Sequence, residues 1–252
     1  MDEAEGRDFV IALARGIEVL GACGRSDGGV TLAEAARLTG LSRATVRRSL
    51  LTLAAMGYVA ADGRRFALTP KVLTLAGGYL RTMPLPRRAQ PVLDRISQQL
   101  GESCSLATLD GDQIIYVARA ETRRIISVDL TVGSRLPASC TSMGRVLLAG
   151  LPQEELSRRL AGLKLEPLTQ HTVTQPAALL ALLTQVREQG FCLVDQELEL
   201  GLRSLAVPVR DAAGAVSAAI NVSTQVARVD EAHLRTVILP VLRAAARDLQ
   251  PV

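Results

Sequence analysis

Arg43, Arg47 and Arg48 stand in the first turn and a half of LSRATVRRSLLTLAAMGYV, residues 41–59. Guanidinium groups at that spacing can grip phosphates, or clasp the O6/N7 edge of a guanine with paired N–H donors. At about 100° per residue, Val46, Leu50 and Leu53 fall on one stripe of a helix. Ala44, Arg48, Thr52 and Ala55 lie opposite, and Thr45 and Arg47 sit on the flanks. The inner face is therefore apolar. The outer face is small residues bearing positive charge, a shape that the major groove admits. Ser42 just before it is a good N-cap, since its hydroxyl can accept from an orphan N–H of the first turn. Composition alone decides nothing: all but two of the 29 basic residues, Lys71 and Lys164, are arginine, and the net charge is only +4. Position says more, because five arginines and a single acid, Asp62, lie between Gly40 and Arg65. A solvated charged face is the plain alternative for such a cluster.

Other chemistry is hard to assemble. The two histidines, His171 and His233, have no metal-ligand partner three or four residues on. Cys23, Cys104, Cys140 and Cys192 are scattered without a C-x-x-C pair, which suits reduced, buried thiols in a cytoplasm. No nucleophile elbow, Walker loop or G-x-G-x-x-G is present. The run DQELELG, residues 195–201, could hold a general acid or base, but more often such a run is a solvated loop. The expectation is no catalytic residue, no metal and no cofactor. An acidic N-terminus and the lack of a run of ~18 apolar residues speak against a secretion signal and a membrane span.

The elements that must position these groups follow from pattern. Phe9 to Leu20 reads as an amphipathic helix with Val10, Leu13, Ala14 and Ile17 on one face. Thr31 and Glu34 form a capping-box pattern that opens a short helix. A tight turn at Thr39-Gly40-Leu41 joins it to the arginine-bearing helix, which is the helix-turn-helix layout. YVAA and FALT, split by Asp62-Gly63-Arg64-Arg65, predict a hairpin wing, so residues 9–69 form a winged helix-turn-helix. A further amphipathic helix starts at Pro70. TMPLPRRAQP, residues 82–91, is the most proline-rich stretch and the expected domain boundary, with helical period resuming at Val92. Strands are expected at SCSLATL and QIIYVARA around Asp110-Gly111-Asp112, then at RIISVDL, CLV, SLAVPV and AVSAAINVS. Helices are expected at 140–149, 153–160, 176–189 and 229–249. The chain is thus α+β with two domains, divided as 1–69, a linker helix 70–82, and 83–252.

Over nearly its full length the sequence resembles an IclR-type transcriptional regulator. RGIEVL, TLAEAARLTGLSRATVRRSLLTLAAMGYV, DGRRFALTP, LPASCTSMGRVLLAGLP and GFCLVDQELELGLRSLAVPV carry the resemblance. Within the family it is similar to the PcaR/PcaU/PobR branch, which controls aromatic-acid breakdown, through SRATVRRSL, GESCSLATLDG, CTSMGRVLLA and LVDQELELGLRS. The resemblance implies a winged helix-turn-helix, a linker helix and a C-terminal GAF-like α/β effector domain. It also implies homodimers or dimers of dimers on double-stranded promoter DNA. In that picture Ser42, Arg43, Thr45, Arg47 and Arg48 contact bases or phosphates, and Arg64 and Arg65 at the wing tip contact backbone or minor groove.

The family places its effector between the sheet and the segment SCTSMG, which here implies Thr141, Ser142, Met143 and Gly144, with Ser204, Asn221 and Ser223 opposite. A helix start near Thr141 offers N–H groups and a positive dipole end, suited to a carboxylate. Val194 and Ser204 replace the Asp and Cys of the branch responsive to small keto acids, which argues against a glyoxylate- or pyruvate-type effector. The expected ligand is a small aromatic carboxylate, such as 4-hydroxybenzoate or protocatechuate, or β-ketoadipate from the same route. The branch leans towards activation. The rival readings are an enzyme tethered to DNA and acting on an aromatic acid, and a ligand-free oligomeric repressor.

Overall fold

The structure, a computed structural model, describes residues 9–121 and 130–250, in two compact units, Met1–Thr82 and Met83–Val252. In the first unit, α1 (Ile11–Cys23) is followed by β1 (Val30–Thr31), α2 (Leu32–Thr39) and α3 (Arg43–Ala55). The hairpin β2 (Val59–Asp62) and β3 (Arg65–Leu68) comes next, and α4 (Val72–Thr82) closes the unit. The Thr31–Glu34 capping box is complete in both directions. Gly40 ends α2 at φ 69°, a left-handed conformation that turns the chain without a Cβ penalty. Ser42 Oγ then accepts the Thr45 N–H, and α3 starts. Val46, Leu50 and Leu53 are buried against Val19, Cys23, Ala35 and Val59, so the predicted inner stripe of α3 is the core of this unit. The stripe of α1 behaves differently: Val10, Leu13 and Ile17 are each more than 60% exposed, and the buried positions are Val19, Ala22 and Cys23.

The units divide between Thr82 and Met83, at the head of the proline-rich stretch, and α5 (Pro84–Leu100) starts within that stretch rather than at Val92. Pro84 and Pro86 fall in the first turn, where N–H groups have no intrahelical partner to lose, so both prolines fit a helix start. Pro91 lies inside the helix and does not break it.

Among the described residues, six antiparallel strands follow the order β6-β5-β4-β9-β8-β7. They are β4 (Ser103–Asp110), β5 (Gln113–Ala120), β6 (Arg135–Pro137), β7 (Cys192–Asp195), β8 (Leu202–Arg210) and β9 (Val216–Gln225). The strand expected at RIISVDL, residues 124–130, lies outside the described residues but for Leu130, and β6 was not anticipated.

One face of the sheet carries Leu106, Leu205, Val207, Ile220 and Val222 against α5 and the closing helix (Glu231–His233, a π-helical turn Leu234–Ile238, then Leu239–Leu249). The other face is built of small residues, Ala107, Ala206 and Ala219, packed against α6 (Ser142–Ala149) and α8 (Pro176–Gln189), with α7 (Gln153–Gly162) beside them. Side chains alternate across a strand, so each strand supplies bulk to one face and leaves room on the other.

Candidate nucleic-acid interface and ligand pocket

On α3, Arg43, Arg47 and Arg48 are exposed, and their side chains make no hydrogen bond or ion pair among the described residues. The same holds for Arg64, one of the two residues, with Gly63, that turn between β2 and β3. Thr45 is half-buried, and its hydroxyl sits 3.0 Å from that of Ser42, so this pair closes the helix start. Arg65 departs from the wing-tip role expected for it. It pairs with Asp62 as the first residue of β3, and its guanidinium turns back to the carbonyls of Gly28 (3.4 Å) and Gly29 (2.9 Å). Its donors tie the wing to the loop before β1, which leaves Arg64 as the cation at the tip. Lys71 Nζ donates to the Met56 carbonyl at 2.7 Å, and Thr69 Oγ1 to that of Gly57 at 2.6 Å. These bonds fix the end of α3 to the base of α4.

In the second unit the small-residue face of the sheet holds a buried polar patch. Its rows follow from strand register. Arg119 on β5 lies opposite Ser105 on β4, and Ser105 opposite Asn221 on β9. In the next row Ser103 lies opposite Ser223, and Ser223 opposite Ser204 on β8. α6 roofs this floor, all eight of its residues buried. The pocket between them is lined by Ser103, Thr141, Ser142, Ser204, Asn221 and Ser223, with Arg119 as its one charged residue among the described residues. Tyr116, Met143, Val194, Leu198 and Leu202 supply apolar wall. As they stand these walls enclose about 40 Å³, room for a water or two, so a ring compound enters only by moving them.

Six of the seven residues singled out from the sequence meet here. Ser204 Oγ donates to Ser142 Oγ at 2.9 Å, and Asn221 Nδ2 donates to Ser223 Oγ at 3.1 Å. Thr141 caps α6: its hydroxyl accepts from the Gly144 N–H and donates to the Pro137 carbonyl. Gly144 is the exception. It does not line the pocket, and a Cβ there would stand 2.3 Å from Ala138 backbone atoms, so glycine is what lets α6 approach that strand end.

Arg119 was not foreseen. Its Nη1 donates to Ser105 Oγ at 3.0 Å, its Nε to Glu121 at 2.8 Å, and its guanidinium lies 5.9 Å from the Tyr116 ring centre. Burial pushes the Tyr116 phenol up to about 12. Phe191, the other aromatic of this part of the sequence, belongs to the opposite face, beside Arg235 and Arg243.

The acidic run 195–201 is structural rather than a solvated loop. Glu197 is 8% exposed and grips Arg145 of α6 through both oxygens, at 2.6 and 2.7 Å. It also accepts the Val173 N–H, while Asp195 pairs bidentately with Arg203. The loop carrying Leu198 is thus pinned beside the pocket. All four cysteines are buried and free; burial raises Cys104 and Cys192 to about 12 and Cys140 to about 11, away from thiolate chemistry. A larger cleft of about 320 Å³ at the far end of α6 contains Arg187, whose donors are committed to the Ala149 and Leu151 carbonyls.

A winged helix-turn-helix with unpaired cations, and a separate unit with a buried polar pocket, define the class of DNA-binding regulators that sense a small molecule. Residues 12–63 match the IclR helix-turn-helix domain, and residues 77–250 match the bacterial transcriptional regulator IclR C-terminal domain. The chain belongs to the IclR family of bacterial transcriptional regulators.

It is 52% identical over 243 residues to the Pca regulon regulatory protein of Pseudomonas putida, spanning 96% of this chain and 84% of that protein. It is 35% identical over 254 residues to the p-hydroxybenzoate hydroxylase transcriptional activator of Acinetobacter baylyi, spanning 99% and 94%. An IclR homologue of Microbacterium hydrocarbonoxydans, solved in complex with 4-hydroxybenzoate, superposes with a TM-score of 0.79 at 26% identity, covering 94% of this chain and 97% of that one.

Proposed function

We propose that this protein regulates transcription of an aromatic-acid catabolic operon in response to a small aromatic carboxylate such as 4-hydroxybenzoate or protocatechuate, with β-ketoadipate the alternative from the same route. The observation that carries the proposal is the pocket, where one guanidinium and six hydroxyl or amide side chains converge in an otherwise apolar core. A carboxylate buried without partners costs several kcal/mol, so a site for one must present donors. Arg119 supplies the charge, and Ser142 at the start of α6 adds a hydroxyl beside first-turn N–H groups. The likeness to regulators of the Pca regulon and of p-hydroxybenzoate hydroxylase supports the ligand class and favours activation.

Arg43, Arg47, Arg48 and Arg64 would hold the DNA, with Ser42 and Thr45 shaping the helix start. Pairing of two copies would bring two α3 helices to half-sites about one helical turn apart, or a multiple of it. Support comes from the exposed apolar residues of the first unit, among them Leu13, Ile17, Leu73, Leu75 and Tyr79 on α1 and α4, which a partner copy could cover. A ligand that fits only an opened pocket shifts the population towards that form, which is what a switch requires. The protein would work in the cytoplasm; no described helix is long and apolar enough to cross a membrane.

The test is calorimetry of the full chain with these acids, alongside gel shifts on the operator with and without them. Saturable 1:1 binding that alters operator occupancy or transcription supports the reading. Turnover of the acid would favour the tethered enzyme, and no heat with any of them would favour a ligand-free repressor.

A further inference from the structure

We infer that the pocket selects carboxylates that also carry a hydroxyl group, and that Asn221 makes the selection; this rests on the pocket being the effector site. Asn221 is 4% exposed, and its Oδ1 is the one buried side-chain oxygen or nitrogen without a hydrogen-bond partner among the described residues. Its neighbours in the pocket are satisfied within the protein: Thr141 caps α6, and Ser204 bonds Ser142. An amide oxygen left unpaired in a core is costly, and native structures rarely tolerate one. This one borders the pocket, where a ligand can complete it.

The missing partner is a donor. A ligand hydroxyl donates to Oδ1 directly. Were the amide turned over, with Ser223 donating to Oδ1, the freed NH2 would find an acceptor in the same hydroxyl oxygen. A ketone or carboxylate oxygen can only accept and serves just the turned amide. A ring C–H serves neither.

The sheet also sets the separation of the two recognition points. Asn221 and Arg119 lie on either side of Ser105, two strand spacings or roughly 10 Å apart at the backbone. The Arg119 guanidinium leans inward to Ser105 Oγ, which shortens the gap towards the span of one substituted ring. The carboxylate then meets Arg119 and the hydroxyl meets Asn221.

Calorimetry on the full chain with benzoate, 3-hydroxybenzoate, 4-hydroxybenzoate and β-ketoadipate, for wild type and Asn221→Leu, tests this. At least one hydroxybenzoate is expected to bind wild type about tenfold or more tighter than benzoate. In Asn221→Leu the ratio of hydroxybenzoate to benzoate affinity is expected to fall to within about threefold, because the orphan oxygen is gone. If the leucine variant does not fold, Asn221→Ala carries the same comparison. A hydroxyl preference that survives the substitution overturns the inference and leaves the effector site standing. β-Ketoadipate binding tighter than every hydroxybenzoate does the same. Failure of wild type to bind any of the four acids overturns the effector reading, and this inference with it.

Discussion

The arginines of the two units are used in opposite ways. In the second unit most are engaged, Arg145 by Glu197, Arg203 by Asp195, Arg228 by Glu102, Arg135 by Asp110 and Arg187 by backbone carbonyls. Arg87 and Arg247 have no side-chain hydrogen bond or ion pair among the described residues, and Arg119 commits its Nε and Nη1 alone. In the first unit Arg15, Arg25, Arg37, Arg43, Arg47, Arg48, Arg64 and Arg81 make no side-chain hydrogen bond or ion pair among the described residues, and Arg65 is the exception. A guanidinium whose donors are already satisfied has little left for a phosphate, whereas an unpaired one on a helix face has all five. Composition could not separate the two uses. The availability of acids and carbonyls in three dimensions does.

The contrast is open to test, starting with its strongest member. Arg145→Leu leaves Glu197 buried and unpaired and is expected to cost about 3–5 kcal/mol in denaturant unfolding. Adding Glu197→Leu should recover much of that, because no charge is then stranded. A single variant as stable as wild type would show that the pair does not hold its loop.

In the same unit, the hydroxyls proposed to hold the ligand give a second test. Ser142→Ala and Ser223→Ala are each expected to weaken effector binding by about tenfold or more, as for a charge-assisted bond of ~1.5–3 kcal/mol. Calorimetry reads this directly, and full affinity in both would move the pocket elsewhere.

Arg47→Ala and Arg48→Ala should leave stability within about 0.5 kcal/mol. Each is expected to weaken operator binding by up to ~1–3 kcal/mol, at least one with relaxed sequence preference. Gel shifts against matched and altered operators check it. Arg64→Ala should weaken binding to all sequences and flatten the salt dependence by roughly one phosphate contact, visible in affinity measured across salt concentrations.

The smallest effect concerns Asp195, whose carboxyl the Arg203 guanidinium holds below its ordinary value of 3.8. A depressed folded value means stabilisation that is present above pH 3.8 and lost as pH falls through the folded value. Asp195→Asn should therefore lower stability near neutrality by up to ~1 kcal/mol, seen as a small drop in melting temperature, and the gap should close in acid. A gap that persists at the lowest pH would assign the effect to packing.

Much of the local structure was legible. Ser42 as cap, the Thr31–Glu34 box, the stripe Val46–Leu50–Leu53, the turn at Asp110–Asp112 and the helix Pro176–Gln189 all follow from rules that act within a few residues. The proline-rich stretch misled because proline breaks a helix interior but suits its first turn, and pattern alone does not say which turn it will be. Glu197 misled for a related reason: a carboxylate in an acidic run looks solvated until a buried guanidinium 52 residues away is brought to it.

What the sequence settled by itself is therefore the set of elements and their faces, since periods of 2 and 3.6 residues and capping chemistry are local properties. Tertiary structure decided the partners. Arg119 joined the pocket because β5 pairs with β4 and β4 with β9, which places it in one row with Ser105 and with Asn221, a residue from the far end of the chain. Arg65 left the candidate DNA surface because β1 brought Gly28 and Gly29 within its reach. Strand alternation says which side of a sheet a residue faces, but not what stands opposite it. That is fixed by register and strand order, which only packing of the whole chain determines.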